Sequence, residues 1–209
     1  MKWRQLVCAN KKEKGKICMS HQTPVKRVFF HGLKGNKYAF ADERTRKHLL
    51  NIMEEIQSNS NWKIYAFCMT DQEAYFVIEA KSLIALSRDL AIAAEHFEEL
   101  CRKMLPKWWS ESIHLQVGEG KRLRTEEEIK QYCCLLHQIP LKYGYVERLC
   151  DYWWSSYITY TGIYEWRMVS CEWLLQQFSE HPSKARQKLK DYHQKTITSG
   201  SMDMLWLIP

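Results

Sequence analysis

The chain has 209 residues, 45% of them hydrophobic and 26% charged, enough for one domain with a sizeable core or one domain plus an appendage. No run of about 18 apolar residues occurs, which excludes a membrane-spanning helix. None of the eight cysteines (Cys8, Cys18, Cys68, Cys101, Cys133, Cys134, Cys150 and Cys171) forms a CxxC pair, which argues against a zinc ribbon. The net charge of +7 matches the surplus of residues 1–27, where eight Lys/Arg face Glu13 alone. A basic end of that kind suits a polyanion or a solvated arm.

In chain order, residues 1–24 are polar, basic and loosely ordered in expectation, and their scattered apolar residues do not make a signal peptide. The cysteines therefore read as reduced thiols of a cytoplasmic protein. VKRVFFHGL (25–33) reads as a strand, and KGNKYAFAD (34–42) as a turn ending in Asp42, an N-cap for a helix over about 43–57. That helix places Leu49, Ile52, Met53 and Ile56 on one stripe. NWKIYAFCM (61–69) and EAYFVIEA (73–80) read as strands of a hairpin closed by Thr70-Asp71-Gln72. Alternation puts Glu73 and Tyr75 on one face of the second strand and Ala74, Phe76 and Ile78 on the other. A long helix over about 81–104 follows, then a strand at SIHLQV (112–117), broken by Gly118 and Gly120. Thr125 and Glu128 make a capping box for a helix expected to stop before Pro140. Residues 141–209 add an irregular aromatic segment and one or two helices.

The order β-α-β-β-α-β-α predicts an α+β fold: a ferredoxin-like antiparallel sheet with helices on one face, plus a C-terminal helical extension. The expected organisation is a basic arm (1–24), a ferredoxin-fold domain (25–140) and an extension packed on it (141–209). Such folds host many functions, so the site must decide.

The segment HQIPLKYGYVERLCDYWWSSYITYTG (137–162) resembles the "HLNPVRAGLV…DYPWSSY" block of the REP-associated tyrosine transposases, which belong to the single-tyrosine HUH transposases of bacterial insertion sequences. Matching positions are His137, Pro140, Gly144, Val146, Tyr152 and Trp154 to Tyr157. Three further blocks follow the family's order: FFHGLKGNKYAFADE (29–43), YAFCMTDQEAYFVIEA (65–80, against "HAYVLMPNHVHLLLEP") and EWLLQQFSEHPSKARQKLKDY (172–192). The resemblance implies cleavage of single-stranded DNA, with a divalent metal on the two histidines of a His-x-His strand. A helix tyrosine then attacks phosphorus and links covalently to DNA.

At each of those positions this chain departs from the pattern. Glu73 and Tyr75 stand at the two histidine positions, Leu135 at the tyrosine, and Ile139 at the asparagine one turn later. Leu and Ile offer neither nucleophile nor ligand, one carboxylate alone holds Mg²⁺ weakly, and a protonated phenol is a poor ligand. Leu135 and Ile139, at i and i+4, make one apolar face. Tyr132, one turn earlier and about 5 Å along the helix, is a candidate substitute nucleophile, with an ordinary amphipathic-helix residue as the alternative reading. Asp71 and His137 could join Glu73 as ligands, with an ordinary structural role as the alternative for each.

DNA binding needs only cations, donors and stacking surfaces. Candidate phosphate contacts are Arg27, Lys34, Lys37, Arg44 and Arg46 around the first strand and turn, Lys121, Arg122 and Arg124 in the glycine-bounded loop after the fourth strand, and Lys142. Charges between 107 and 130 cancel, five against five. Trp154 and Tyr157 either stack on bases or pin the C-terminal segment to the domain. The apolar tail MDMLWLIP (202–209) docks on its own core or enters a partner, such as the second protomer of a homodimer.

The expectation is thus a transposase-like protein that binds single-stranded or hairpin DNA without cutting it and with no cofactor. The enzymatic alternative keeps Mg²⁺ or Mn²⁺ and nicks DNA from a remodelled site. A third reading is a protein-interaction module.

Overall fold

The computed structural model describes residues 26–36 and 39–198. The basic arm, Lys37 and the apolar tail lie outside the described residues.

Near-continuous apolar runs, buried on both faces, build β1 (Val28–Gly35), β2 (Lys63–Met69) and β3 (Glu73–Glu79). Two short strands, β4 (Leu115–Val117) and β5 (Lys121–Leu123), both pair with β1, giving the antiparallel order β2-β3-β1-β4 with β5 beside β4 on the same edge. The ferredoxin-like α+β architecture is as the sequence predicts, except that helices pack on both faces of the sheet and not on one. Two local readings are corrected. Residues 112–114 are not strand. Lys121 and Arg122 lie not in a loop but in β5, whose backbone pairs with Val28–Phe30 of β1 once the glycines of 118–120 have turned the chain.

On one face, α1 (Glu43–Ser60) and α2 (Leu83–Met104) cover Phe29, Leu33, Phe67, Ala74, Phe76 and Ile78. Asp42 caps α1 by accepting from the Arg44 N–H at 2.7 Å. On the other face, α4 (Glu126–Lys142) lies over Phe30, Tyr75 and Val77. A four-residue helix, α3 (Lys107–Ser110), joins α2 to β4. Thr125 caps α4 from its hydroxyl (3.1 Å to the Glu128 N–H), and the Glu128 carboxylate reaches back to the Arg124 N–H at 2.8 Å.

Helix α4 does not stop before Pro140. It runs one turn further, because Ile139 is locked in the core and the end is closed by Tyr143 N–H to Ile139 O (3.0 Å) and Tyr145 N–H to Pro140 O (2.8 Å). Proline in the last turn removes only one intrahelical bond.

The C-terminal segment holds α5 (Tyr157–Thr161), α6 (Glu172–Gln176) and α7 (Pro182–Thr198), and shares a continuous core with α4 and the sheet. It also covers the free edge of β2. The Met69 N–H donates to Trp154 O (2.9 Å), Ser156 N–H to Phe67 O (3.0 Å) and Ser170 N–H to Ile64 O (2.8 Å). An edge closed in this way offers no template for another strand.

Beneath that seam lies a buried polar chain. His193 Nδ1 donates to Leu189 O at 2.7 Å, because a carbonyl can only accept. Its Nε2 therefore accepts from His137 Nδ1 at 3.0 Å, and His137 Nε2 accepts the Ser156 hydroxyl at 2.9 Å. Ser156 Oγ in turn accepts from the Phe67 N–H at 2.9 Å. Every member is satisfied with both imidazoles neutral, and one chain of bonds ties α7, α4, the Trp-Ser-Ser-Tyr segment and β2 together.

Candidate functional site

The side chains whose positions the resemblance equates with metal ligands and nucleophile lie on the α4-covered face of the sheet. Glu73 sits opposite Lys34 across β1 and β3, carboxylate to ammonium 3.6 Å. Tyr75 sits opposite Gly32, and a Cβ on that glycine would meet the ring at 3.0 Å, so the absence of a side chain is what lets the ring lie down on β1. The ring stacks on Phe30 (centroids 5.8 Å, planes 22° apart), and Phe30 meets Tyr132 of α4 at 5.2 Å. Leu135 and Ile139 complete the same apolar cluster, 5% and 1% exposed. Burial first, and then the neighbouring Glu73 carboxylate, push the Tyr75 phenol well above its ordinary value and keep it protonated.

A shallow cleft of about 230 Å³ remains beside this cluster, lined by Lys34, Glu73, Tyr75 and residues 116–119. Its donor set does not fit a divalent ion. Its lining holds two carboxylates, Glu73 and Glu119, of which Glu73 is paired with Lys34; the phenol is neutral, and Leu135 and Ile139 supply no donor. Among the described residues no three or more His, Cys, Asp or Glu side chains come together as a metal site. Asp71 is engaged by Arg46, and His137 is fully buried in the chain with His193.

Tyr132 is also buried, 7% exposed, and its hydroxyl accepts from Lys121 Nζ at 2.6 Å. That ammonium lies 3.4 Å from the Glu128 carboxylate as well, and both contacts hold its pKa above the ordinary lysine value.

The expected phosphate-binding residues divide by environment. Arg122 and Arg124 are exposed and make no ion pair among the described residues. Arg27 is exposed and donates to Lys81 O at 2.8 Å. Lys34 is exposed beside Glu73, and Arg44 forks onto Asp42. Lys142 is half-buried. Arg46 is a brace: buried, paired with Asp71 of the β2–β3 turn, and 5.4 Å from the Trp154 ring centroid. Arg186 of the second basic segment is likewise spent internally, donating to Thr159 O at 2.8 Å.

Sequence reasoning singled out Trp154 but missed its neighbours Trp153, Tyr164 and Trp166, which with Arg44 and Lys47 line an open cleft beside α1. The heavy aromatic load was the available signal. It also missed His193, 56 residues from its partner His137, for which no local pattern exists.

Compared with known proteins, the chain matches no protein-family profile and no curated protein. Among solved structures it is similar to a REP-associated tyrosine transposase bound to a REP hairpin, with a TM-score of 0.51 and 10% identity, over 69% of this chain and 91% of that one. At that identity the likeness is one of fold.

Proposed function

We propose that this chain is a transposase-like protein of the REP-associated, single-tyrosine HUH kind that binds hairpin or single-stranded DNA in the cytoplasm and does not cut it. The observation that carries the reading is the packed face. Tyr75, Phe30, Tyr132, Leu135 and Ile139 form one apolar cluster where the resembling enzymes need two metal ligands and an attacking hydroxyl. The fold of a hairpin-bound transposase supports the DNA partner, as do the exposed Arg122, Arg124, Lys34 and Arg27. Phosphate contacts survive the loss of chemistry because they need charge and donors only.

The second reading, a remodelled DNA-nicking site, rests on Tyr132, whose hydroxyl lies against the Lys121 ammonium. A buried ring one turn from the expected place is poorly set for in-line attack, which demands reacting atoms within about 3–3.5 Å.

Labelled hairpins and single strands incubated with the protein, with and without Mg²⁺ or Mn²⁺, separate the readings. The expected result is retention that weakens as salt rises and no covalent adduct. An adduct that Tyr132→Phe abolishes would establish the nicking reading instead, and no salt-dependent retention of any oligonucleotide would point to a protein-interaction module.

A further inference from the structure

The cleft beside α1 has a floor and wall of four aromatic side chains, Trp153, Trp154, Tyr164 and Trp166, with Arg44 and Lys47 on its rim and Glu43 as its one acid. It offers about 510 Å³ of space. Trp153 and Tyr164 are 52% and 45% exposed, which is unusual for rings of that size with no cover. They are nevertheless held in place. Trp153 meets Tyr164 edge to face at 5.7 Å, Tyr164 meets Trp166 at 4.9 Å, and Trp166 meets Trp154 at 6.2 Å. Trp154 is fixed through its carbonyl to Met69 and lies beneath the Arg46 guanidinium, which is itself tied to Asp71. Rings braced in this way lose little freedom when a ligand stacks on them.

Charge decides which flat ligand fits. A quaternary ammonium group on these ring faces would lie beside the Lys47 ammonium, a like charge that repels it. Here Arg44 is held by Asp42, whereas Lys47 is exposed on the rim and makes no ion pair among the described residues, with Glu43 as the one carboxylate of the lining. An anionic ligand with a π-face meets both requirements, its ring on the aromatics and its phosphate at Lys47. The indole N–H of Trp166 is also buried without an acceptor, a donor that such a ligand could satisfy after a small turn of the ring.

We infer that this cleft is a stacking subsite for one unpaired base of bound DNA, with the adjoining phosphate at Lys47. The inference rests on the DNA-binding reading above and adds to it where a single-stranded extension leaves the protein body. The site shares no residue with the Glu73–Tyr75 cleft.

The test uses the full chain and two labelled hairpins, one blunt and one with a four-nucleotide unpaired extension. The extended hairpin is expected to bind more tightly and to quench Trp fluorescence. A Trp153→Ala/Tyr164→Ala variant, both positions exposed, is expected to lose about 10- to 100-fold in affinity for the extended hairpin and to bind the blunt one as before. Trp153→Phe should recover part of the loss, and Lys47→Ala should lower the salt slope by about one. If wild type binds both hairpins equally, or the variant weakens both equally, the subsite is refuted while DNA binding stands. If neither hairpin binds, the DNA reading fails and the subsite with it. A saturable quench by tetramethylammonium with none by the extended hairpin would also overturn the assignment, in favour of a cation cage.

Discussion

Ile139→Asn is expected to lower the unfolding free energy by about 4 kcal/mol, seen as a lower urea midpoint at unchanged slope. Ile139 is 1% exposed in the cluster with Tyr75, Leu135 and Leu136. Removing its side chain from that environment forfeits about 2–3 kcal/mol of burial. The incoming amide adds about 1–3 kcal/mol if it finds no partner. Asparagine is the residue that the resembling block places here, so the substitution asks whether a polar ligand still has a home. Leu135→Tyr asks the same of the nucleophile, and should cost about 1–3 kcal/mol by overpacking beside Phe30 and Tyr75. A loss under about 1 kcal/mol for either variant would mean that the face is loosely filled and the site could be rebuilt with little disturbance.

The second large effect is acid sensitivity above the usual carboxylate range. Burial holds both His137 and His193 below the ordinary histidine value, His193 at about 4 and His137 further disfavoured by the adjacent His193. Both stay neutral in the fold, while the unfolded chain takes up their protons near pH 6.5. The unfolded state then binds more protons than the native state, so stability falls as pH falls. The contribution is fully present above about pH 6.5 and is lost between there and about pH 4, where His193 titrates in the fold as well. For His193 alone this amounts to about 3 kcal/mol. His31, buried against Ser87 on the other face of the sheet, is shifted the same way by burial and adds to the slope. Urea unfolding at a series of pH values should show this decline before the carboxylates titrate. His193→Gln should reduce it, leaving the contributions of His137 and His31. Ser156→Ala should leave the slope but remove about 1–3 kcal/mol at pH 7, by orphaning His137 Nε2 and the Phe67 N–H. A stability that is flat from pH 7 to pH 4 in the parent would show that the imidazoles are not buried neutral in solution.

The Ser-His-His arrangement resembles a catalytic relay only on paper. His137 and Ser156 have no exposed surface, and the hydroxyl is engaged by Phe67 on β2. Its effect is structural: it fastens the C-terminal segment over the β2 edge, and so positions Trp153 and Trp154 beside α1.

What was legible from the residues alone was whatever depends on local spacing. The two-residue period of 73–79, the caps at Asp42 and Thr125, and the short hairpin turn each follow from backbone geometry within a few positions, and together they yield the ferredoxin-like order. The departure of Glu73, Tyr75, Leu135 and Ile139 from the resembling pattern was also visible, because residue types at matched positions are read directly from the chain. Tertiary structure decided the rest. Helix α4 passes Pro140 because the burial of Ile139 outweighs one missing bond, and the segment 121–123 becomes a strand because β1 offers it an open edge. Arg46 leaves the set of free cations because Asp71 and Trp154, 25 and 108 residues away along the chain, enclose it. The aromatic cleft is assembled from α1 and residues 153–166, which share no sequence pattern and meet only when the C-terminal segment closes the sheet. Long-range burial and charge pairing are properties of the folded surface, and no spacing rule along the chain encodes them.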